Sequence, residues 1–204
     1  MAAMDLFARH GFSETTVEEI TRVADVGKGT FFNYFPSKEH VLGFLVSKQA
    51  GVVAQHLALA RLGTTSSDRV LISLGRSLVK FPGKSPQMAR SLMSAFLGNT
   101  EVREYVVREL TEKRQWIAEI IRLGQERGEL NCELPAADLA RAFHHVLFGT
   151  VLMWALDPSS PLEKQFSNTM QTFLSGLNAS AKARPQAREK VLPKAVGRKQ
   201  SEAK

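Results

Sequence analysis

VGKGTFFNYFPSKE, residues 26–39, decides how this chain folds. Gly27 and Gly29 open a short helix that Pro36 ends, because proline lacks an amide hydrogen and pushes Phe35 into extended geometry. About two turns fit between them. Phe31 and Phe35, four residues apart, share an inner face, and Ser37 stands where its hydroxyl caps the next helix. Lys28, Thr30, Asn33 and Tyr34 are then free to donate hydrogen bonds outward. An N-terminus this small lets the backbone come close to another surface. That is the chemistry of a helix lying in a DNA major groove, where N-terminal side chains reach base edges.

Upstream, Thr16 and Glu19 have capping-box spacing, and Val17, Ile20 and Val23 or Ala24 give an apolar stripe. Two short helices joined by the tight turn Ala24-Asp25-Val26-Gly27 read as a helix-turn-helix. The whole segment FARHGFSETTVEEITRVADVGKGTFFNYFPSKEHVL, residues 7–42, resembles the DNA-binding segment of the TetR family of bacterial transcriptional regulators. The resemblance is dense over residues 4–45 and elsewhere is one of layout. Gly27 stands where a serine usually caps the reading helix, and Phe32 where tyrosine is frequent. The resemblance implies an all-α fold, with an N-terminal three-helix DNA-binding domain ahead of a larger helical domain for effector binding and dimerisation. It implies a homodimer on double-stranded operator DNA, with Thr16, Lys28, Gly29, Thr30, Phe32, Asn33, Tyr34 and Lys38 at the DNA. Asn33 suits a bidentate contact to adenine and Phe32 an apolar one to a thymine methyl. Thr16, Tyr34 and Lys38 suit phosphates, which set register without reading sequence.

The net charge of +7 over 204 residues does not carry the inference to DNA. Residues 1–50 hold five Lys/Arg and six Asp/Glu, net −1; residues 51–177 hold fourteen and twelve, net +2; residues 178–204 hold eight and two, net +6. The predicted division is therefore 1–46 for DNA binding, 47–177 for effector and dimer, and 178–204 as a basic tail without periodicity. The single cysteine, Cys132, excludes an intrachain disulfide and suits a reducing compartment. No signal peptide is legible, and the apolar run Val146–Leu156 is shorter than the roughly 20 residues a bilayer needs, so a cytoplasmic protein without a membrane partner is the expectation. The first helix, residues 2–10, is a turn or two shorter than is usual in the family. The expectation there is a natural start upstream of Met1, or weak operator affinity.

Helices read at about 37–62, 67–80, 85–98, 101–127, 136–156 and 161–177. Val102, Val106, Leu110, Ile117, Ile120 or Ile121 and Gly124 recur at helical period. Residues 136–156 are apolar on nearly every side and must be covered on more than one face. Leu162, Phe166, Met170, Phe173 or Leu174 and Leu177 form a stricter stripe. With 136–156 it suits a two-fold helical interface, as the resemblance also implies. The helix from Ser37 to Leu62 is long enough to carry motion between the two ends.

Met93, Phe96, Trp116, Ile120, His145 and Phe148, with Met88 and Met153, are candidates to line a cavity for a small apolar effector; their bland reading is core. His144 and His145 are adjacent on a helix and point about 100° apart, so they cannot hold one metal ion. No cofactor motif appears. Cys132 has no orienting acid beside it, and no paired carboxylate, triad or metal-ligand cluster supports an enzyme. Two readings remain: a repressor released by a small molecule, and a DNA-binding regulator controlled by a protein partner. A closed apolar cavity discriminates them.

Overall fold

The computed structural model describes residues 2–80, 82–130 and 133–182. Among these there is no strand. The order is α1 (Ala2–His10), α2 (Val17–Ala24), α3 (Lys28–Tyr34), α4 (Lys38–Leu62), α5 (Ser67–Val79), a 3-10 turn Pro82–Lys84, α6 (Pro86–Gly98), α7 (Thr100–Glu126), α8 (Ala136–Leu156) and α9 (Leu162–Lys182). The chain is all-α, as the sequence predicts. Helix α9 continues to Lys182, past the predicted loss of periodicity at Asn178, because Ala179 and Ala181 are strong helix formers. Cys132 and residues 183–204, most of the predicted tail, lie outside the described residues.

Two main cores hold these helices. The larger joins α4, α5, α7, α8 and α9 through Val53, Leu57, Leu74, Ile117, Phe143, Phe166 and Met170, among others. The α9 stripe Leu162, Phe166, Met170 and Leu174 is buried here, inside the protomer. That corrects its reading as an interface stripe: the period was right, but the apolar face meets α5 and α8 of the same chain. Phe166 lies so close to α5 that a Cβ on Gly75 would stand 2.0 Å from its Cζ. Helix α8 fulfils the expectation of multiple cover on one side only. Phe143, Leu147, Val151 and Trp154 are buried, whereas Leu152, Met153 and Leu156 stay exposed. By length and composition α8 is apolar enough to cross a membrane, but half of the qualifying window is buried in this core.

The smaller core gathers Phe7 and Phe12, Ile20 of α2, Phe31 of α3 and Leu42 of α4. It is completed by Met88, Leu92 and Ala95 of α6, far along the chain. Two polar bonds fix that junction: the Phe12 N–H donates to Ser91 Oγ at 2.9 Å, and Ser85 Oγ donates to the Ala8 carbonyl at 3.2 Å. Helix α6 is thus shared between the two cores.

Candidate nucleic-acid interface and regulatory cavity

The capping box opens α2 as the spacing predicts. Thr16 Oγ1 accepts from the Glu19 N–H at 3.2 Å, and the Thr16 N–H donates to Glu19 Oε2 at 2.9 Å. These bonds satisfy two N–H groups at the helix start, so Thr16 is engaged at the helix start rather than free. Helix α2 ends on Asp25 at φ 54°, ψ 48°, the left-handed geometry that aspartate tolerates better than most residues. The α2 stripe is narrower than predicted. Ile20 and Thr21 are buried, but Val23 and Ala24 face outward beside the turn.

Helix α3 hangs on Phe31, which is 4% exposed and meets Phe35 at 5.6 Å between ring centroids. Every other residue of α3 is exposed: Lys28, Gly29, Thr30, Phe32, Asn33 and Tyr34. Phe32 and Tyr34 are 51% and 76% exposed, a large apolar area to leave in water on a seven-residue helix. A Cβ on Gly29 would meet nothing within 4 Å, and Gly27 caps α3 without a side-chain bond. Lys28 pairs with Glu18 across the α2–α3 turn, and this ammonium holds the Glu18 carboxyl below the usual carboxylate range.

Lys38 is engaged differently. Its ammonium donates to the carbonyls of Phe12, Ser13 and Thr15 at 2.9, 3.0 and 2.9 Å, and lies 4.7 Å from the Phe12 ring centroid. An ammonium has three donors, and all three are used. Where the sequence offers Lys38 to a phosphate, the structure has it tying the α1–α2 turn to the start of α4. Ser37 also departs from expectation. Its hydroxyl contacts His40 Nδ1 at 3.0 Å and makes no capping bond to the backbone of α4.

A cavity of about 60 Å³ lies among α4, α6, α7 and α8. Of the six candidate lining residues, Met93, Phe96 and Phe148 meet there, with Phe96 and Phe148 edge to face at 6.5 Å. Ile120 is fully buried in the larger core, Trp116 packs half-buried against it, and His145 is exposed, so these three do not reach the cavity. Met88 lies in the smaller core and Met153 is on the surface. The polar members of the wall are Gln49, Lys113 and His144. Lys113 is 3% exposed and donates to Glu109 Oε2 at 2.8 Å. His144 is 5% exposed, and its Nδ1 has no partner within hydrogen-bond geometry. Burial first, then the Arg114 guanidinium, push its pKa down to about 4, against a lesser pull upward from the Ala140 carbonyl. Among the described residues no cluster of three metal-ligating side chains occurs.

Residues 1–43 match the family model of bacterial regulatory proteins, tetR family. That segment is the one the tetR-family DNA-binding model describes, and the all-helical layout behind it agrees. An uncharacterized HTH-type transcriptional regulator of Bacillus subtilis, YuxN, is 48% identical over 40 residues, 20% of this chain. A putative mycofactocin biosynthesis regulator of Mycobacterium tuberculosis, MftR, is 41% identical over 39 residues. The matched stretches span 14% and 20% of those proteins' lengths. Likeness to solved structures runs further. FadR of Thermus thermophilus, a TetR-family repressor solved with lauroyl-CoA, is 27% identical with a TM-score of 0.65, over 86% of this chain and 91% of that one. FadR of Bacillus subtilis, solved with stearoyl-CoA, shares the fold at 20% identity and a TM-score of 0.69, over 86% and 96%.

Two residues on the cavity wall escaped the sequence reading, and each left a trace. Lys113 interrupts the α7 stripe, three residues after Leu110 and four before Ile117, where an apolar residue was due. His144 follows Ala140 by four and precedes Leu147 by three on the inner face of α8. The sequence reading chose His145 for the cavity wall; the residue that faces inward is His144.

Proposed function

We propose that this chain is a homodimeric transcriptional repressor that binds a near-palindromic operator and is released from it by a small, largely apolar molecule. One observation carries the DNA half: α3 buries Phe31 and leaves Lys28, Gly29, Thr30, Phe32, Asn33 and Tyr34 open on one continuous exposed surface. Asn33 and Phe32 read bases; Tyr34 and Lys28 meet phosphates, Lys28 exchanging Glu18 for the DNA; Lys38 holds the turn. Selection from random duplexes should enrich two half-sites about one helical turn apart, roughly 34–36 Å between reading helices. Asn33→Ala should relax the preference at one base pair per half-site by about 1–3 kcal/mol. If selection enriches no sequence, or the Asn33→Ala preference is unchanged, this assignment fails.

The control half is supported by the apolar cavity, by α6 shared between cavity wall and DNA-binding core, and by the acyl-CoA complexes of the two FadR proteins. Leu92 belongs to both places, so a ligand that displaces α6 must disturb the packing beneath α1. The expected lever is therefore α6 as well as the long α4. Coupling is reciprocal: a ligand that weakens DNA binding tenfold binds the DNA complex about 1.4 kcal/mol less well. One observation favours the alternative, a regulator controlled by a protein partner. The cavity is about 60 Å³, whereas small-molecule sites are typically about 300–1,000 Å³. Titrating apolar metabolites against the operator complex separates the two, since only the first reading has DNA released without a second protein.

A further inference from the structure

We propose that the effector is an amphipathic acid, an apolar body carrying one carboxylate, with the carboxylate seated against Lys113 and His144. This rests on the ligand-controlled reading above and adds the chemistry of the ligand's head. Most of the cavity wall is apolar, from Val53, Leu78, Leu92, Met93, Phe96 and Phe148 to the remaining aliphatic side chains. Its polar groups are Lys113, His144 and Gln49. Glu109 accepts one N–H of the Lys113 ammonium, which has two more to give. Both Lys113 and His144 are more than nine-tenths buried, and His144 has a nitrogen without a partner. The neighbouring Arg114 also buries an Nε with no partner. Buried polar groups normally find partners, so such a cluster marks a place completed by something else.

Charge selects the sign of the head. Arg114, His145 and Lys113 all act against a proton on His144. Glu109 is one carboxylate, paired with Lys113, and the Arg114 guanidinium lies near His144 as a second basic group, so the field favours an anion. A quaternary ammonium head meets repulsion there, and an alcohol leaves the excess positive charge unanswered. About 60 Å³ is well below the roughly 300–1,000 Å³ of a whole small-molecule site, so the cavity has room for only part of a ligand. The body must then displace Met93, Phe96 and Phe148. Of these, Met93 is an unbranched side chain that repacks readily.

The test uses the full chain and four ten-carbon probes below their micellar concentrations: decanoate, decanol, decanoyl-CoA and decyltrimethylammonium. Binding is followed by Trp116 and Trp154 fluorescence and by release of the selected duplex. Decanoate should bind at least tenfold tighter than decanol and release DNA at correspondingly lower concentration. Lys113→Met should remove that preference, so that decanoate binds no tighter than decanol. Glu109→Gln, which keeps the shape but withdraws the competing carboxylate, should tighten decanoate several-fold; it supplies a second reading if Lys113→Met folds poorly. Equal or tighter binding of the alcohol, the thioester or the cation overturns the head-group assignment and leaves the ligand-controlled reading standing. So does an acid preference that survives Lys113→Met. If no probe perturbs fluorescence or DNA affinity, both fall together.

Discussion

Gly75 shows how far one missing carbon sets the packing of α9. Phe166 occupies the space where a side chain would begin, so Gly75→Ala must push the ring or separate the helices. Overpacking of this kind costs about 1–3 kcal/mol, and the 2.0 Å approach places this case at the upper end. Thermal melts should show that loss, and adding Phe166→Leu should recover part of it, giving a non-additive cycle. His144 makes a prediction about pH. Its folded pKa, about 4, lies below the unfolded value of 6.5, so the unfolded chain takes up the proton first as pH falls. Stability from this group is full above about 6.5 and is lost as pH falls toward 4, by up to about 3 kcal/mol. Wild type and His144→Leu, melted from pH 7 to 4, should differ in slope over that window. Parallel curves would mean that the imidazole titrates as in the unfolded chain.

Lys38 is a residue whose role is visible only in the elements it joins. Its three carbonyl partners lie 23 to 26 residues earlier, around the α1–α2 turn, where no local period points to them. Lys38→Met should therefore lower the melting temperature and weaken DNA binding without changing how log affinity falls with log salt. Lys28→Ala should reduce that slope by about one. A shallower slope for Lys38→Met would restore the phosphate reading. The same distinction explains what was legible in the sequence. The α2 cap, the α3 anchor and the helix bounds rest on contacts within a few residues, and these were readable. Helix α6 serves both the DNA-reading core and the cavity, so Met88, Leu92, Met93 and Phe96 look like one apolar stripe although Met88 stays in that core while the other three also line the cavity. Helix α8 is apolar all round, so its sequence carries no phase, and adjacent His144 and His145 could not be told apart.

The proposed dimer must use what a single protomer leaves uncovered. On α8, Leu152, Met153 and Leu156 are 43%, 61% and 67% exposed, and on α9 the outward residues Asn168, Thr169, Thr172 and Ser175 are short and polar. Nothing lies within 4 Å of a Cβ built on Gly149 or Gly176, so another helix has room to approach. Met153→Glu should leave the protomer folded but weaken the dimer at least a hundredfold by sedimentation, with operator binding lost in parallel. An unchanged dimer would move the interface off α8. The sequence pointed to these two helices but took the α9 stripe for the contact, because burial against a neighbour in the same chain and burial against a second copy leave the same period. The shared α6 has one more consequence, in the order of synthesis. At about 5–20 residues per second, roughly 3–10 s separate the emergence of Leu42 from that of Ala95. During that interval Phe7, Phe12, Ile20 and Phe31 have no α6 to close over them. The DNA-reading end is translated first yet stabilised later, and residues 1–46 made alone would be a nascent chain stopped in that interval.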